Sequence, residues 1–333
     1  MESLSATTET GAPAVDGRIY QALHGGAVWH RFDDRLVIRV VGDDRLSFLH
    51  GMCSNDIRAM HAGEIAPALL LTERAHVVAD LFIYAETDAF LFEIERELWP
   101  RARAHLDRFL VADDVEFEEL ADWAMLDIEG PLGANVIGRI RPEAAGLAGW
   151  RFVDAGAIRI ANLPRYDWPA VTVLGHRDEI ANLAEVLRKQ APEVPETDAS
   201  AFETLRIERG MARVGVDTGD KTLALEARLE RAISLNKGCY IGQETLERAT
   251  AHGALKKKLQ GLRLGDGRLP AIGAAVMLAG REVGSITSVA ASPSQGVLGL
   301  GIIHHSAWIP GTAVVIKDSA GEEPAIVSDL PFK

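Results

Sequence analysis

Six short β-like runs end this chain, and they constrain its fold more than any other stretch. Residues 259–264, 274–278, 282–289, 296–303, 313–317 and 325–328 are rich in Val, Ile, Leu and Ala and are punctuated by Gly and Pro. Runs of that length and spacing predict a small closed barrel, the arrangement that leaves no strand edge exposed. Three lysines, Lys256 to Lys258, mark the composition shift that opens it. We therefore expect a C-terminal β-barrel domain over residues 256–333.

Upstream, strands and helices alternate. Residues 36–41 are β-branched and end at Gly42-Asp43-Asp44, which predicts a strand, a turn and an Asp-capped helix. Runs at 66–71, 77–84 and 90–94 read as an antiparallel meander, and 98–110 as an amphipathic helix packed on it. Strands at 115–117, 125–128, 151–160 and 169–174 follow, with a helix at 132–140 and another at 178–189 turning Ile180, Leu183, Ala184 and Leu187 inward. Ser200 and Glu203 have capping-box spacing for a helix that Gly210 ends, and residues 225–233 read as a short helix. The expected class is α+β, with a flexible tail over residues 1–26 and a mixed region over 27–250.

Composition excludes several functions. A formal net charge of −13 opposes broad binding to nucleic acid or to an anionic membrane, both of which need a cationic face. The first seventeen residues lack the basic start and apolar core of a secretory signal, and no later run has the length of a membrane span. Two cysteines, Cys53 and Cys239, give neither a disulfide framework nor a paired-cysteine zinc site, which fits a cytoplasmic protein. Cys53 reads as a packed thiol. Dinucleotide, phosphate-loop and His-Glu-x-x-His motifs are absent. His304 and His305 are adjacent in a strand-like run, so they point to opposite faces, and no metal site is expected.

The densest chemistry lies in Leu-Asn-Lys-Gly-Cys-Tyr-Ile-Gly-Gln-Glu, Leu235 to Glu244. Lys237 stands two residues before Cys239, and a nearby cation lowers a thiol's pKa toward the reactive thiolate. A small packed cysteine in a Gly-punctuated turn is the bland alternative.

Lys-Gly-Cys-Tyr-x-Gly-Gln-Glu resembles the signature of the YgfZ-type folate-binding proteins, relatives of the glycine-cleavage aminomethyltransferases (GcvT). Asp43 to Gly51, Asn55-Asp56, Leu205 to Gly210, Gly215-Val216-Asp217, Val283 to Ser288 and Ser292-Pro293 follow in the family's order. The resemblance implies a GcvT-like, two-lobed folate-binding region over residues 27–250, then the barrel, set around a channel that the Cys239 loop faces. It implies tetrahydrofolate as cofactor. It further implies an accessory factor rather than an enzyme, one that supports assembly or repair of iron-sulfur clusters. Its partners would be iron-sulfur enzymes, including a tRNA-modifying one, or cluster-assembly proteins, with no direct nucleic-acid contact.

By the same resemblance Cys239 and Lys237 are the reactive pair, and Asp80, Arg206, Tyr240, Gln243 and Glu244 are the folate contacts. Asp80 belongs to a position where the transferases carry an acidic pair; here the pair reads Ala79-Asp80. Arg206 has the fork to hold a carboxylate, or a salt bridge to Glu203 or Glu208. The transferases' Gly-Tyr-Thr-Gly-Glu string is replaced by Pro164-Arg165-Tyr166-Asp167-Trp168-Pro169. The alternatives are a folate-dependent one-carbon transferase or demethylase, and a folate-independent binding module with a structural Cys239.

Overall fold

The computed structural model describes residues 15–251, 255–265 and 267–333. Helix α1 (Gly17–Gly25) leads into β1 (Val28–Phe32) and β2 (Arg35–Val41). Helix α2 (Arg45–Met52) precedes the meander β3 (Ile65–Leu71), β4 (Val77–Ala85) and β5 (Phe90–Glu95), and α3 (Trp99–Asp107) follows it. Then come β6 (Glu116–Glu119), β7 (Trp123–Glu129), α4 (Gly133–Ile140), β8 (Arg151–Asp154), β9 (Ile158–Asn162), β10 (Ala170–His176) and α5 (Arg177–Gln190). Helices α6 (Ala199–Glu208) and α7 (Gln243–Ala251) lead to the barrel strands β11 (Lys257–Gly265), β12 (Ala275–Leu278), β13 (Arg281–Ser292), β14 (Gly296–His304), β15 (Ala313–Asp318) and β16 (Gly321–Ser328).

The first half forms two antiparallel sheets, β3-β4-β5-β2-β6 and β1-β7-β10-β9-β8. Strand side chains alternate between faces, so each sheet has two apolar sides to cover. Phe82, Tyr84 and Leu91 of the first sheet meet Met125, Phe152 and Leu174 of the second in the layer between them. On its outer side the first sheet packs Ala79, Leu81 and Ile83 with residues of α2 and α3. The second sheet packs Leu126, Ile128 and Val173 under α4 and α5, which buries Ile180, Leu183, Ala184 and Leu187 as its spacing predicts. All six C-terminal runs are strands, and they close in the order β11-β14-β13-β12-β15-β16 around Leu262, Val276, Ile286 and Ile316.

Four expectations need correction. Asp44 stands at the start of α2, but its side chain makes no capping hydrogen bond and instead accepts from the Asp114 amide at 2.9 Å. The stretch taken as a tail over residues 1–26 holds α1: Asp16 caps it, accepting from the Arg18 amide at 2.7 Å, and Leu23 is buried against Phe202 and Leu205. Residues 1–14 lie outside the described residues. Helix α6 is capped by Asp198 rather than by a Ser200–Glu203 box, because Glu203 is turned to Arg206. Residues 225–233 are turns with a single 3-10 turn at Glu230–Ala232, since Arg228 adopts a φ of 57° that interrupts a helix.

Candidate functional site

At one end of the layer between the sheets the apolar packing opens into a narrow cleft. Phe32, Phe82, Tyr166 and Phe202 give it aromatic walls. Around them stand the carboxylates of Asp34, Asp80, Glu95 and Glu203 and the guanidiniums of Arg35, Arg165, Arg206, Arg213 and Arg231. A flat heteroaromatic ligand with polar edges fits such walls, and the many charges restrict which edge goes where.

Asp80 is brought here by strand alternation. It shares a face of β4 with Phe82 and Tyr84, whereas Ala79 points to the outer core. The position that lacks an acid is therefore the one facing away from the cleft. Among the described residues, no donor from another residue bonds the Asp80 carboxylate. Burial first, and the Glu95 carboxylate second, raise its pKa above the usual range against the pull of Arg35 and Arg231.

Beneath the cleft lies a buried ion network that the sequence reading missed. The Arg165 guanidinium donates to Glu93 at 2.5 Å and to Asp127 at 3.2 Å, between the rings of Phe32 and Phe82. Arg35 adds a second cation 3.1 Å from Glu93, and Tyr84 donates to the same carboxylate at 2.8 Å. Glu129, cross-strand from Val28 and Ala170, is fully buried, and neither of its oxygens has a hydrogen-bond partner among the described residues. Burial, then the Asp127 charge, pushes its carboxyl far above the usual range. The available signal was a set of carboxylates at alternate positions of otherwise apolar strands, Glu93 and Glu95 in β5 and Asp127 and Glu129 in β7. The region replacing the Gly-Tyr-Thr-Gly-Glu string does reach the cleft, but with the guanidinium of Arg165 and the phenol of Tyr166.

Arg206 lines the cleft, yet its donors face the protein. Nε and Nη2 bond both oxygens of Glu203 at 2.9 and 2.5 Å. Nη1 bonds Asp217 at 2.8 Å and the Met211 carbonyl at 2.5 Å, and Nη2 also bonds Ser288 of β13 at 2.7 Å. A guanidinium has five N–H groups, and all five are engaged. Of the two readings of Arg206, the salt bridge to Glu203 is formed in the structure. Burial opposes the charge, but Glu203 and Asp217 outweigh it and raise the pKa.

The Cys239 loop is separate from the cleft. Tyr240 is buried in the outer core of the first sheet, on the face opposite Asp80, and burial pushes its phenol up to about 12. Lys237 does not serve Cys239. Its Nζ donates to the carbonyls of His50, Cys53 and Asn55 at 2.6, 2.5 and 3.0 Å, closing the C-terminal end of α2. Burial lowers that amine to about 8 and raises the buried Cys53 thiol to about 12. Cys239 itself is a free, exposed thiol. Gln243 bonds Glu247 at 2.7 Å and Glu244 pairs with Arg248, both along α7, so neither lines the cleft. Of the seven residues read from sequence, the cleft gathers Asp80 and Arg206. Among the described residues no three His, Cys, Asp or Glu side chains are placed to hold a metal ion, and no helix is long and apolar enough to cross a membrane.

Two antiparallel sheets with a charged, aromatic cleft between them, joined to a closed six-stranded barrel, define the architecture of the glycine cleavage T-protein. The family described as GCVT N-terminal domain matches residues 35–166, and the one described as Glycine cleavage T-protein C-terminal barrel domain matches residues 257–333. The chain belongs to this GcvT-like superfamily. It is 28% identical over 307 residues to an aminomethyltransferase of Rubrobacter xylanophilus, covering 87% of this chain and 79% of that one. A putative chloroplastic transferase of Arabidopsis thaliana is 26% identical over 306 residues, 89% of this chain and 68% of the relative. The crystal structure of the glycine cleavage system aminomethyltransferase T from Bartonella henselae superposes with a TM-score of 0.85 at 20% identity, covering 95% of this chain and 89% of that one, which shows the shared fold. These relatives carry transferase names, and the YgfZ-type resemblance rests on the sequence motifs, chiefly the one around Cys239.

Proposed function

We propose that this protein binds tetrahydrofolate in the cleft between the sheets and acts as a folate-dependent one-carbon transferase of the aminomethyltransferase type. The observation that carries this reading is Asp80: a carboxyl with no donor from another of the described residues, facing an aromatic-walled cleft, with its pKa raised by burial. A carboxyl so tuned exchanges its proton closer to neutral pH than a solvated one, as general acid-base chemistry requires. Bound tetrahydrofolate would supply a ring nitrogen that takes up or releases the one-carbon unit. Asp80 would hold the proton which that nitrogen gives up as its bond to carbon forms. Phe32, Phe82 and Phe202 would exclude water and stack the pterin. Calorimetric titration with tetrahydrofolate tests the site, with Asp80→Asn as the variant. Saturable binding by the wild type, with one-carbon transfer lost in the variant, is the expected result; a folded wild type that binds no tetrahydrofolate refutes it.

A second reading, the accessory factor for iron-sulfur enzymes, is favoured by one observation: the Cys239 thiol is exposed on its own loop, away from the folate cleft. One thiolate would receive or pass on only a transient ligand, since stable clusters take several. On this reading Cys239→Ser abolishes support of a cluster enzyme's activity in cells and leaves tetrahydrofolate binding intact. Unchanged support by the variant removes the cysteine from the function.

A further inference from the structure

Five guanidiniums line the cleft, and four of them already answer a well-shielded carboxylate. Arg165 holds Glu93 and Asp127, both fully buried. Arg206 holds Asp217, also fully buried, and Glu203. Arg35 is 3.1 Å from Glu93. Arg213 grips Glu95 at 3.0 and 3.1 Å and reaches Asp34 at 3.2 Å. Arg231 differs from all four. One of its nitrogens donates to the Arg165 carbonyl at 2.7 Å, which fixes the side chain at the cleft wall. Its sole ion-pair partner among the described residues is Asp167, at 3.4 Å on a carboxylate that is 59% exposed. Water screens such a pair, so it contributes little to holding the side chain and leaves its charge open to a better partner. Nε of Arg231 has no hydrogen-bond partner among the described residues. Arg231 is also a cation that acts on Asp80, so this acid and the weakly paired cation of the cleft share one field.

We propose that Arg231, carried on the 3-10 turn just before the Cys239 loop, is the anion contact of the cleft and receives a carboxylate of the ligand. This rests on the folate reading, in which the ligand joins a pterin to an acidic tail. A guanidinium with unused N–H groups takes a carboxylate through parallel hydrogen bonds, which an ammonium cannot reproduce. Arg206, with every donor engaged, fixes the helix that carries it. Nothing in the ligand's acidic tail need displace a buried ion pair to bind at Arg231, whereas at Arg206 it would have to displace Asp217 or Glu203.

Two probes separate the contact from the rest of the site: tetrahydrofolate, and 6-methyltetrahydropterin, which keeps the ring and lacks the tail. Arg231→Gln is expected to weaken tetrahydrofolate by about tenfold or more, the scale of a charge-assisted hydrogen bond, and to leave 6-methyltetrahydropterin unchanged. Arg231→Lys should recover part of the loss. Thermal melts of both variants establish that they are folded. Equal loss for the two probes would make Arg231 a positioning residue and overturn the assignment, as would unchanged tetrahydrofolate affinity. Wild-type protein that binds neither probe overturns the folate reading as well, whereas wild-type binding that persists in Arg231→Gln overturns the anion contact alone.

Discussion

Glu129 gives this protein one pH response that a single substitution can isolate. Its carboxyl is fully buried, without a hydrogen-bond partner among the described residues, and raised far above the usual 4.5 by burial and by Asp127. In the unfolded chain the same group ionises in the ordinary carboxylate range. Between those two values the native state binds the extra proton, so stability falls as pH rises from about 4.5 through the raised native value. Glu129→Gln keeps the shape and removes the titration. Urea unfolding at a series of pH values should show the variant gaining on the wild type as pH rises, at up to about 1.4 kcal/mol per pH unit for one proton. Parallel curves would mean that Glu129 is not held neutral. This residue also shows where sequence reading stops. The alternate carboxylates of β7 announce an unusual strand, but only the packed sheets reveal that Glu93 and Asp127 obtain Arg165 while Glu129 obtains nothing. In the same way the local spacing around Arg206 offered Glu203 or Glu208 as its partner, and could not show the contacts to Asp217 and Ser288, which the fold supplies.

Among the elements, the Cys239 loop owes its path to one glycine more than to its charged residues. Gly242 has a φ of +88°, and a Cβ there would stand 2.6 Å from the Thr72 carbonyl oxygen, so both conformation and space demand glycine. Gly238, beside the cysteine, is not in the left-handed region, and a Cβ would meet nothing within 4 Å. Gly242→Ala should therefore cost about 1–3 kcal/mol of stability, by the scale of backbone strain, while Gly238→Ala is tolerated. Chemical denaturation of the two variants checks this, and equal midpoints would show that the loop yields at Thr72. The barrel strands and α5 were legible in the sequence because their periods, two and 3.6, survive any tertiary context. The loop was not. Lys237 and Cys239 are near neighbours in sequence, yet the amine is drawn to the carbonyls at the end of α2 and the thiol is left in solvent. Helix α1 was hidden for the opposite reason: its single cap, Asp16, closes a polar stretch whose composition resembles a tail.

Across the whole molecule, α6 is where the two-sheet region and the barrel meet. Glu203 and Arg206 line the cleft, and Arg206 together with Asp217 reaches Ser288, while Thr287 and Ser288 donate back to Asp217. Two residues further along the helix, Glu208 accepts from Ser292 at 2.5 Å and from Tyr20 of α1 at 2.9 Å. The barrel is thus tied to the cleft through buried charges, whose separation would leave a carboxylate or a guanidinium desolvated and unmatched. Such a seam has little tolerance for partial opening. The wall of the cleft therefore draws on the barrel for its rigidity, and a lesion on β13, one side chain behind that wall, would be felt as a loosened grip: the C-terminal domain works as the anvil against which the cleft is set.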